Sequence, residues 1–174
     1  LRLCMTFDDK KVLHILLVED EIYFQKIMVE NLSAVTDVQY IVHLSDSLQS
    51  ADQLLNKTEV DLILLDLNLP DSKEENTMYR LTKLHPRIPV VVQTSIDDLQ
   101  TESKVMQYGA QEYLIKGELN SSNLHRSIMR ALERYKRFED LEFERLELAK
   151  EVHISESLST QDRSLIKENE RLLQ

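Results

Sequence analysis

The sequence predicts an α/β fold built on a doubly wound, five-stranded parallel sheet. Five short apolar runs recur in the first two thirds of the 174-residue chain, and amphipathic stretches separate them. The runs have the length and β-branched content of strands, and they lack the in-out alternation of strands with one exposed face. Near-continuous apolarity is typical of strands that helices cover on both faces. Repeated alternation of strand with helix is the pattern of a parallel sheet.

The predicted strands are residues 12–18, 38–42, 60–65, 89–92 and 112–115. The stretches between them carry Ile, Leu, Val and Met at helical spacing. Pro70 follows the third strand, and Pro86 and Pro89 lie on either side of the entrance to the fourth. Gly109 is placed to cap the fourth helix at its C-terminus. These Pro and Gly positions support the predicted order of strands and helices.

The last third of the chain predicts a fifth helix that continues beyond the edge of the domain. No Gly or Pro occurs after Gly117, and Leu124, Ile128, Ala131 and Tyr135 follow one another at steps of four, three and four. We expect Leu124, Ile128 and Ala131 to cover the sheet, and Tyr135 and later apolar residues to lie beyond its reach.

The expected organisation is a loose N-terminus over residues 1–10, a domain over residues 11–135 and a helical coiled-coil extension over residues 136–174. Beyond Phe138 the apolar positions change heptad frame by three residues, so the extension is either a strained continuous helix or a helix broken near residues 155–164. We expect it to form a homodimer, with a solvated tail as the alternative.

The charge distribution narrows the function classes. The net charge is -10, and residues 118–174 carry only -2 of it, so the acidity belongs to the N-terminal part. Direct nucleic-acid binding needs clustered Lys and Arg and is therefore not expected. No apolar run reaches the roughly 18 residues of a membrane helix, and the single Cys4 excludes an internal disulfide. We expect a cytoplasmic protein that does not enter membranes.

Polar side chains cluster where the predicted strands end. The residues at these ends are Glu19-Asp20-Glu21 for the first strand, Asp66 for the third, Thr94-Ser95 for the fourth and Lys116 for the fifth. Ligands of an open parallel sheet bind outside the carboxyl ends of its strands. We therefore expect these side chains to converge at one edge of the sheet.

Converging carboxylates require a cation, and a site of hard oxygen ligands with few protein groups suits Mg²⁺. In such a site Asp66 would be both a ligand and a nucleophile that attacks phosphorus to give an aspartyl phosphate. Mg²⁺ and the Lys116 ammonium would neutralise charge on the phosphoryl oxygens, and the Thr94 hydroxyl would hydrogen-bond the phosphoryl group.

Four segments, VLHILLVEDE, VDLILLDLNLPD, PVVVQTS and GAQEYLIKG, resemble the signature segments of two-component response-regulator receiver domains. The resemblance covers about residues 10–135 and implies a flavodoxin-like receiver fold with strand order 2-1-3-4-5. For the metal site, it implies an acidic pair at Glu19 and Asp20 and a third ligand at the Asn68 backbone carbonyl. For phosphoryl transfer, it implies a phosphoacceptor at Asp66 and the family lysine at Lys116. For the switch, it implies the hydroxyl of Thr94 and the aromatic ring of Tyr113.

The resemblance also implies a function. A histidine kinase or a histidine phosphotransfer protein would phosphorylate Asp66, and the surface formed by the fourth helix, fifth strand and fifth helix would change. The chain would catalyse only its own phosphoryl transfer and dephosphorylation. Two departures from the family pattern are Gly117, where proline is usual, and the glycine-free segment DSKEEN after the third strand.

Two other classes are compatible with parts of the pattern. A pseudo-receiver would act as a dimerising scaffold without phosphorylation, but such proteins usually lack one of the residues Asp66 and Lys116. A haloacid-dehalogenase-type phosphohydrolase also uses a strand-end Asp and a lysine, yet it needs a second Asp two residues later, where this chain has Asn68. The extension is too short for an output domain, so the chain is either a fragment of a larger regulator or signals through its helix.

Overall fold

The computed structural model describes the backbone of residues 12–95 and 99–172. It describes the side chains in those ranges except residues 73–75, 99–100 and 154–172. The predicted loose N-terminus, residues 1–10, lies outside the described residues.

The core of the domain is a parallel sheet of five strands. They are β1 (Val12–Val18), β2 (Gln39–Ser45), β3 (Leu62–Asp66), β4 (Val90–Thr94) and β5 (Glu112–Ile115). Their order in the sheet is β2-β1-β3-β4-β5, and every neighbouring pair is parallel. The predicted fold class and strand order are therefore confirmed.

Three strands extend further at their carboxyl ends than the apolar runs predicted. β2 ends at Ser45, β3 at Asp66 and β4 at Thr94. The hydrogen bonds between strands are made by backbone groups. A polar side chain therefore does not end a strand, provided that the side chain has a partner of its own. Asp66 and Thr94 consequently belong to the rigid sheet rather than to the loops.

Five α-helices connect or follow the strands within the described ranges. They are α1 (Ile22–Ser33), α2 (Leu48–Leu55), α3 (Glu74–Leu84), α4 (Leu99–Gln107) and α5 (Ser121–Leu172). Gly109 has φ +97°, and the amide of Ala110 bonds back to Val105 O at 3.0 Å. Because L side chains rarely adopt this φ, glycine suits the position, and the predicted cap of α4 is confirmed.

The sheet is covered on both faces, as its apolar strands require. On one face Leu13, Ile15 and Leu17 of β1 join a cluster with Met28 of α1 and Ile128 of α5. The opposite face carries a second cluster, formed by Leu16, Val18, Leu48, Ala51, Ile63, Leu65, Met78, Leu81, Val92 and Val105. The alternation of β1 side chains between the two clusters follows from the period of two in a strand.

The structure favours one of the two alternatives for the fifth helix and corrects the prediction for Tyr135. The helix is continuous from Ser121 to Leu172, so the possible break near residues 155–164 is absent from the described backbone. The Ser, Thr, Gln and Asp residues there cost at most about 0.7 kcal/mol each in a helix, and no Gly or Pro interrupts them. Tyr135 is 7% exposed rather than out of reach of the core, and its hydroxyl donates to Pro86 O at 3.2 Å.

The chain divides after Tyr135 into two compact units, and the second contains residues 136–174. In the first unit Leu124, Ile128 and Ala131 are fully buried, as predicted. None of the helices in the described part of the chain is both long and apolar enough to cross a bilayer.

Candidate functional site

The carboxyl ends of four strands bring the predicted site residues to one edge of the sheet. Glu19 follows β1 directly, Asp66 and Thr94 are the last residues of β3 and β4, and Lys116 follows β5. The register aligns these ends, because Asp66 pairs with Gln93 and Thr94 pairs with Ile115. The convergence arises from the parallel direction of the strands.

The ammonium group of Lys116 lies between two buried carboxylates. Its Nζ is 2.6 Å from Glu19 Oε2 and 2.7 Å from Asp66 Oδ2. Glu19 is 0% exposed, Asp66 4% and Lys116 7%. The ring of Phe24 in α1 lies beneath the ammonium, with its centroid 4.3 Å from Nζ. Charges this deeply buried persist only when they are paired, and here one ammonium faces two carboxyl groups.

Burial sets the ionisation of this cluster. It raises the pKa of the Glu19 carboxyl from 4.5 to about 7, against the hydrogen bond from Lys116, and the charge of Asp66 adds to the increase. Burial would lower the pKa of Lys116, but its hydrogen bonds and charge interactions with Asp66 and Glu19 outweigh it and raise that pKa. Lys116 is therefore charged at neutral pH, whereas Glu19 titrates near neutrality.

The same edge contains a set of oxygen atoms that fits a divalent cation. Ligand oxygens of Glu19, Asp20 and Asp66 all lie within 4.8 Å of one another, and this is the one such group of metal-ligating side chains among the described residues. Asp20 is exposed and the other two are buried, so the set opens to solvent on one side. Carboxylate oxygens with room for water suit Mg²⁺.

The loop after β3 is held close to Asp66 by two local structures. The amide of Asn68 donates to Asp66 Oδ1 at 3.2 Å, and the residues Asn68–Leu69 and Ser72–Lys73 pair as a short hairpin. Asp71 then caps α2, because its two carboxylate oxygens accept from the amides of Leu48 and Gln49 at 2.9 Å each. The segment after β3 is thus held at Asn68 by Asp66 and at Asp71 by the start of α2.

The predicted switch residues occupy different environments. Thr94 is 3% exposed at the end of β4. Tyr113 of β5 is half-buried, packs against the cluster on the α2 and α3 face, and lines a cavity of about 310 Å³ together with Leu119, Arg126 and Arg130. Thr94 and Tyr113 thus lie on neighbouring strands, β4 and β5, which pair in parallel.

Sequence reasoning missed three residues of this region. Gln93 is fully buried and donates from Nε2 to Glu19 Oε2 at 3.2 Å, and its signal was an amide directly after the apolar run PVVV. Phe24 gave no signal, because an aromatic residue on α1 is usual in a core-facing helix. Asp71 lies in the segment DSKEEN, which predicted a surface turn and not a helix cap.

Comparison with known proteins identifies the class. The family model described as the response regulator receiver domain matches residues 15–129. The chain therefore belongs to the response regulator receiver domain family, and this assignment disfavours the haloacid-dehalogenase interpretation.

Three relatives illustrate the likeness. The chain is 32% identical over 84 residues to the regulatory protein LuxO of Vibrio cholerae, across 48% of this chain and 18% of LuxO. It is 26% identical over 149 residues to the probable C4-dicarboxylate response regulator DctR of Priestia megaterium, across 86% of this chain and 60% of DctR. The crystal structure of the Mn(2+)-bound form of the response regulator Rcp1 superposes with TM-score 0.56 and 25% identity, covering 66% of this chain and 88% of Rcp1. The chain thus spans less than two thirds of either curated relative.

Proposed function

We propose that this receiver domain accepts a phosphoryl group on Asp66 from the phosphohistidine of a histidine kinase or a histidine phosphotransfer protein. The observation that carries the proposal is the buried Asp66 carboxylate, which lies 2.7 Å from the Lys116 ammonium at the end of β3. A carboxylate oxygen of Asp66 would attack phosphorus while the phosphorus–nitrogen bond of the donor breaks, and the released imidazole would keep the electron pair. The Lys116 ammonium would then neutralise negative charge on the phosphoryl oxygens.

Mg²⁺ is the proposed cofactor. The side chains of Glu19, Asp20 and Asp66 and the backbone carbonyl of Asn68 would hold it, and the ion would neutralise charge on the transferred group. The clustered carboxylate oxygens support this proposal, as does the metal-bound form of the relative Rcp1.

Phosphorylation would act on the surface of α4, β5 and α5. A phosphoryl group on Asp66 provides acceptor oxygens for the Thr94 hydroxyl at the end of the neighbouring strand β4. Movement of Thr94 would change the packing of Tyr113, which lines the cavity beside α5. The cavity supports this proposal because it leaves room for Tyr113 to change position.

The direct test is incubation of the chain with acetyl phosphate and Mg²⁺, followed by mass spectrometry. We expect the mass of a single phosphoryl group to be added, in a hydroxylamine-labile linkage typical of an acyl phosphate. A chain that stays unmodified although it binds Mg²⁺ would support the pseudo-receiver interpretation instead.

Replacement of Asp20 tests the metal site. We expect Asp20→Asn to weaken Mg²⁺ binding about 10-fold or more, because few protein ligands hold the ion and one negative charge is lost. The fold should be retained, since Asp20 is exposed. Thermal unfolding at increasing Mg²⁺ concentration measures this, because a ligand of the native state raises the midpoint. An equal Mg²⁺-dependent increase in Asp20→Asn and the parent would contradict the proposed ligand.

We further propose that the helix beyond Tyr135 pairs with a second copy of the chain. Between residues 136 and 153, where the structure describes the side chains, six large apolar side chains are exposed by 54–65%: Phe138, Leu141, Phe143, Leu146, Leu148 and Val152. Complete burial of such a side chain is worth roughly 1.5–3 kcal/mol. Three of them, Leu141, Leu148 and Val152, are separated by seven and four residues, which is coiled-coil spacing and makes an apolar stripe.

Surface charge alone does not explain so long a helix. Two ion pairs along its described part, Arg145 with Glu142 at 3.7 Å and Lys150 with Glu147 at 2.9 Å, are solvent-exposed. Each such pair contributes only about 0.3–0.5 kcal/mol. A parallel pairing is proposed, because it places both Asp66 sites at the same end of the dimer.

Light scattering at tens of micromolar protein tests the dimer. We expect the full chain to be dimeric and a version ending at Arg134 to be monomeric. Leu148→Glu should raise the dimer dissociation constant about 10-fold or more, because it buries a charge in the apolar stripe. Leu146→Glu is the matched control, since Leu146 is also more than half exposed but lies outside the stripe. A monomeric full chain, or a truncated chain that dimerises as well, would exclude this helix as the main interface.

A further inference from the structure

A glutamine follows three valines in an inner strand of the sheet, next to the proposed metal site. β4 begins with Val90, Val91 and Val92, and then Gln93 follows with 0% exposure. In the ladder Gln93 pairs with Asp66 of β3. A buried amide costs free energy unless its donor and acceptor groups both have partners.

The Gln93 amide has only one of the partners it needs. Its Nε2 donates to Glu19 Oε2 at 3.2 Å. Its Oε1 is buried and has no hydrogen-bond partner among the described residues. An apolar side chain of similar length would avoid this cost, so the stability of the fold does not explain a glutamine here.

The contact with Glu19 provides an explanation. One oxygen of Glu19 accepts from the Glu21 amide at 3.2 Å, and the other is shared between Gln93 and the Lys116 ammonium. The Lys116 ammonium also contacts Asp66, and in the proposed reaction it neutralises negative charge on the phosphoryl group. Gln93 is neutral and lies on a central strand, so its contact with Glu19 does not depend on the state of Lys116.

The structure assigns to Gln93 a positioning role: it orients the Glu19 carboxylate for a divalent cation held by the acidic cluster. This inference rests on the proposed function, because it concerns the Mg²⁺ site of that function. Groups that orient metal ligands act through those ligands, and their loss weakens metal binding without removing the site.

Gln93→Met tests this role, because methionine keeps the length and cannot hydrogen-bond Glu19. We expect the Mg²⁺ dissociation constant to rise about 10-fold, while the melting temperature without metal stays equal or increases. With acetyl phosphate, the Mg²⁺ concentration for half-maximal phosphorylation should rise by the same factor and the rate at saturating Mg²⁺ should stay close to that of the parent. Gln49→Met, at an exposed glutamine, is the control and should change none of these values.

An unchanged Mg²⁺ affinity in Gln93→Met would overturn the inference. If this variant does not fold, the parent provides a second measurement: the side-chain amide signals of Gln93 in nitrogen–proton NMR spectra should shift as Mg²⁺ is added, and unchanged signals would overturn the inference as well. A parent chain that binds no Mg²⁺ would instead overturn the proposed function, so the two failures are distinguishable.

Discussion

Asp66→Asn is expected to reduce phosphorylation by acetyl phosphate to below detection. An amide has no free carboxylate oxygen to attack phosphorus, and the nucleophile is the part of the site that no neighbour can replace. Glu19 is the nearest substitute, but both of its oxygens accept hydrogen bonds from Glu21, Gln93 and Lys116.

The measurement is mass spectrometry of the parent and the variant after equal exposure to acetyl phosphate and Mg²⁺. Asp37→Asn is the control, because Asp37 is an exposed aspartate outside the acidic cluster, and it should be modified as fully as the parent. The folded state of Asp66→Asn is checked by its circular dichroism. Modification of Asp66→Asn at the rate of the parent would refute Asp66 as the phosphoacceptor.

The fold could be predicted from the sequence because the period of the apolar residues directly reflects burial. The five apolar runs became the five strands, and Gly109 capped α4 as its position indicated. Strand ends were less predictable. β3 and β4 continue through Asp66 and Thr94, because backbone pairing does not require an apolar side chain.

The candidate site was predictable where residues lie next to strand ends, since parallel strands bring those ends together. Glu19, Asp66 and Lys116 were placed in contact for this reason. Gln93 and Phe24 were missed because their roles depend on distances between elements, which a one-dimensional pattern does not contain. Tyr135 was expected to lie beyond the sheet, and its burial depends on Pro86, which lies 49 residues earlier in the sequence.

The sequence left the continuity of α5 open, and the reason is physical. Frame shifts in the heptad pattern indicate where a partner helix would lose contact, and they do not by themselves break a helix. The backbone between residues 155 and 164 stays helical because each residue there is a tolerable helix former and neither Gly nor Pro occurs. Strand and helix periods predict burial well, whereas helix ends require a residue that actively stops the helix.

Lys116→Met is expected to cause the largest change in stability. The substitution leaves the buried carboxylates of Glu19 and Asp66 without the ammonium that lies 2.6 and 2.7 Å from them. Removal of one partner from a buried ion pair typically costs about 3–5 kcal/mol, because the remaining charge is uncompensated. The contact between the ammonium and the Phe24 ring is lost as well. We expect urea unfolding at neutral pH without metal to show a decrease of this size in the free energy of unfolding.

Two conditions should restore part of that stability. Mg²⁺ should stabilise Lys116→Met more than the parent, because the ion supplies the positive charge that the variant lacks. Lower pH should also raise the free energy of unfolding of the variant. The pKa of Glu19 in the folded chain is raised above its unfolded value of 4.5, so the ionised carboxylate destabilises the fold. This destabilisation is relieved as the pH falls through the folded pKa. Lys150→Met removes an exposed ammonium that is 2.9 Å from Glu147, so it should cost less than about 1 kcal/mol and respond to neither condition. If Lys116→Met were no less stable than Lys150→Met, the ammonium of Lys116 would not be what holds the two carboxylates together in the folded chain.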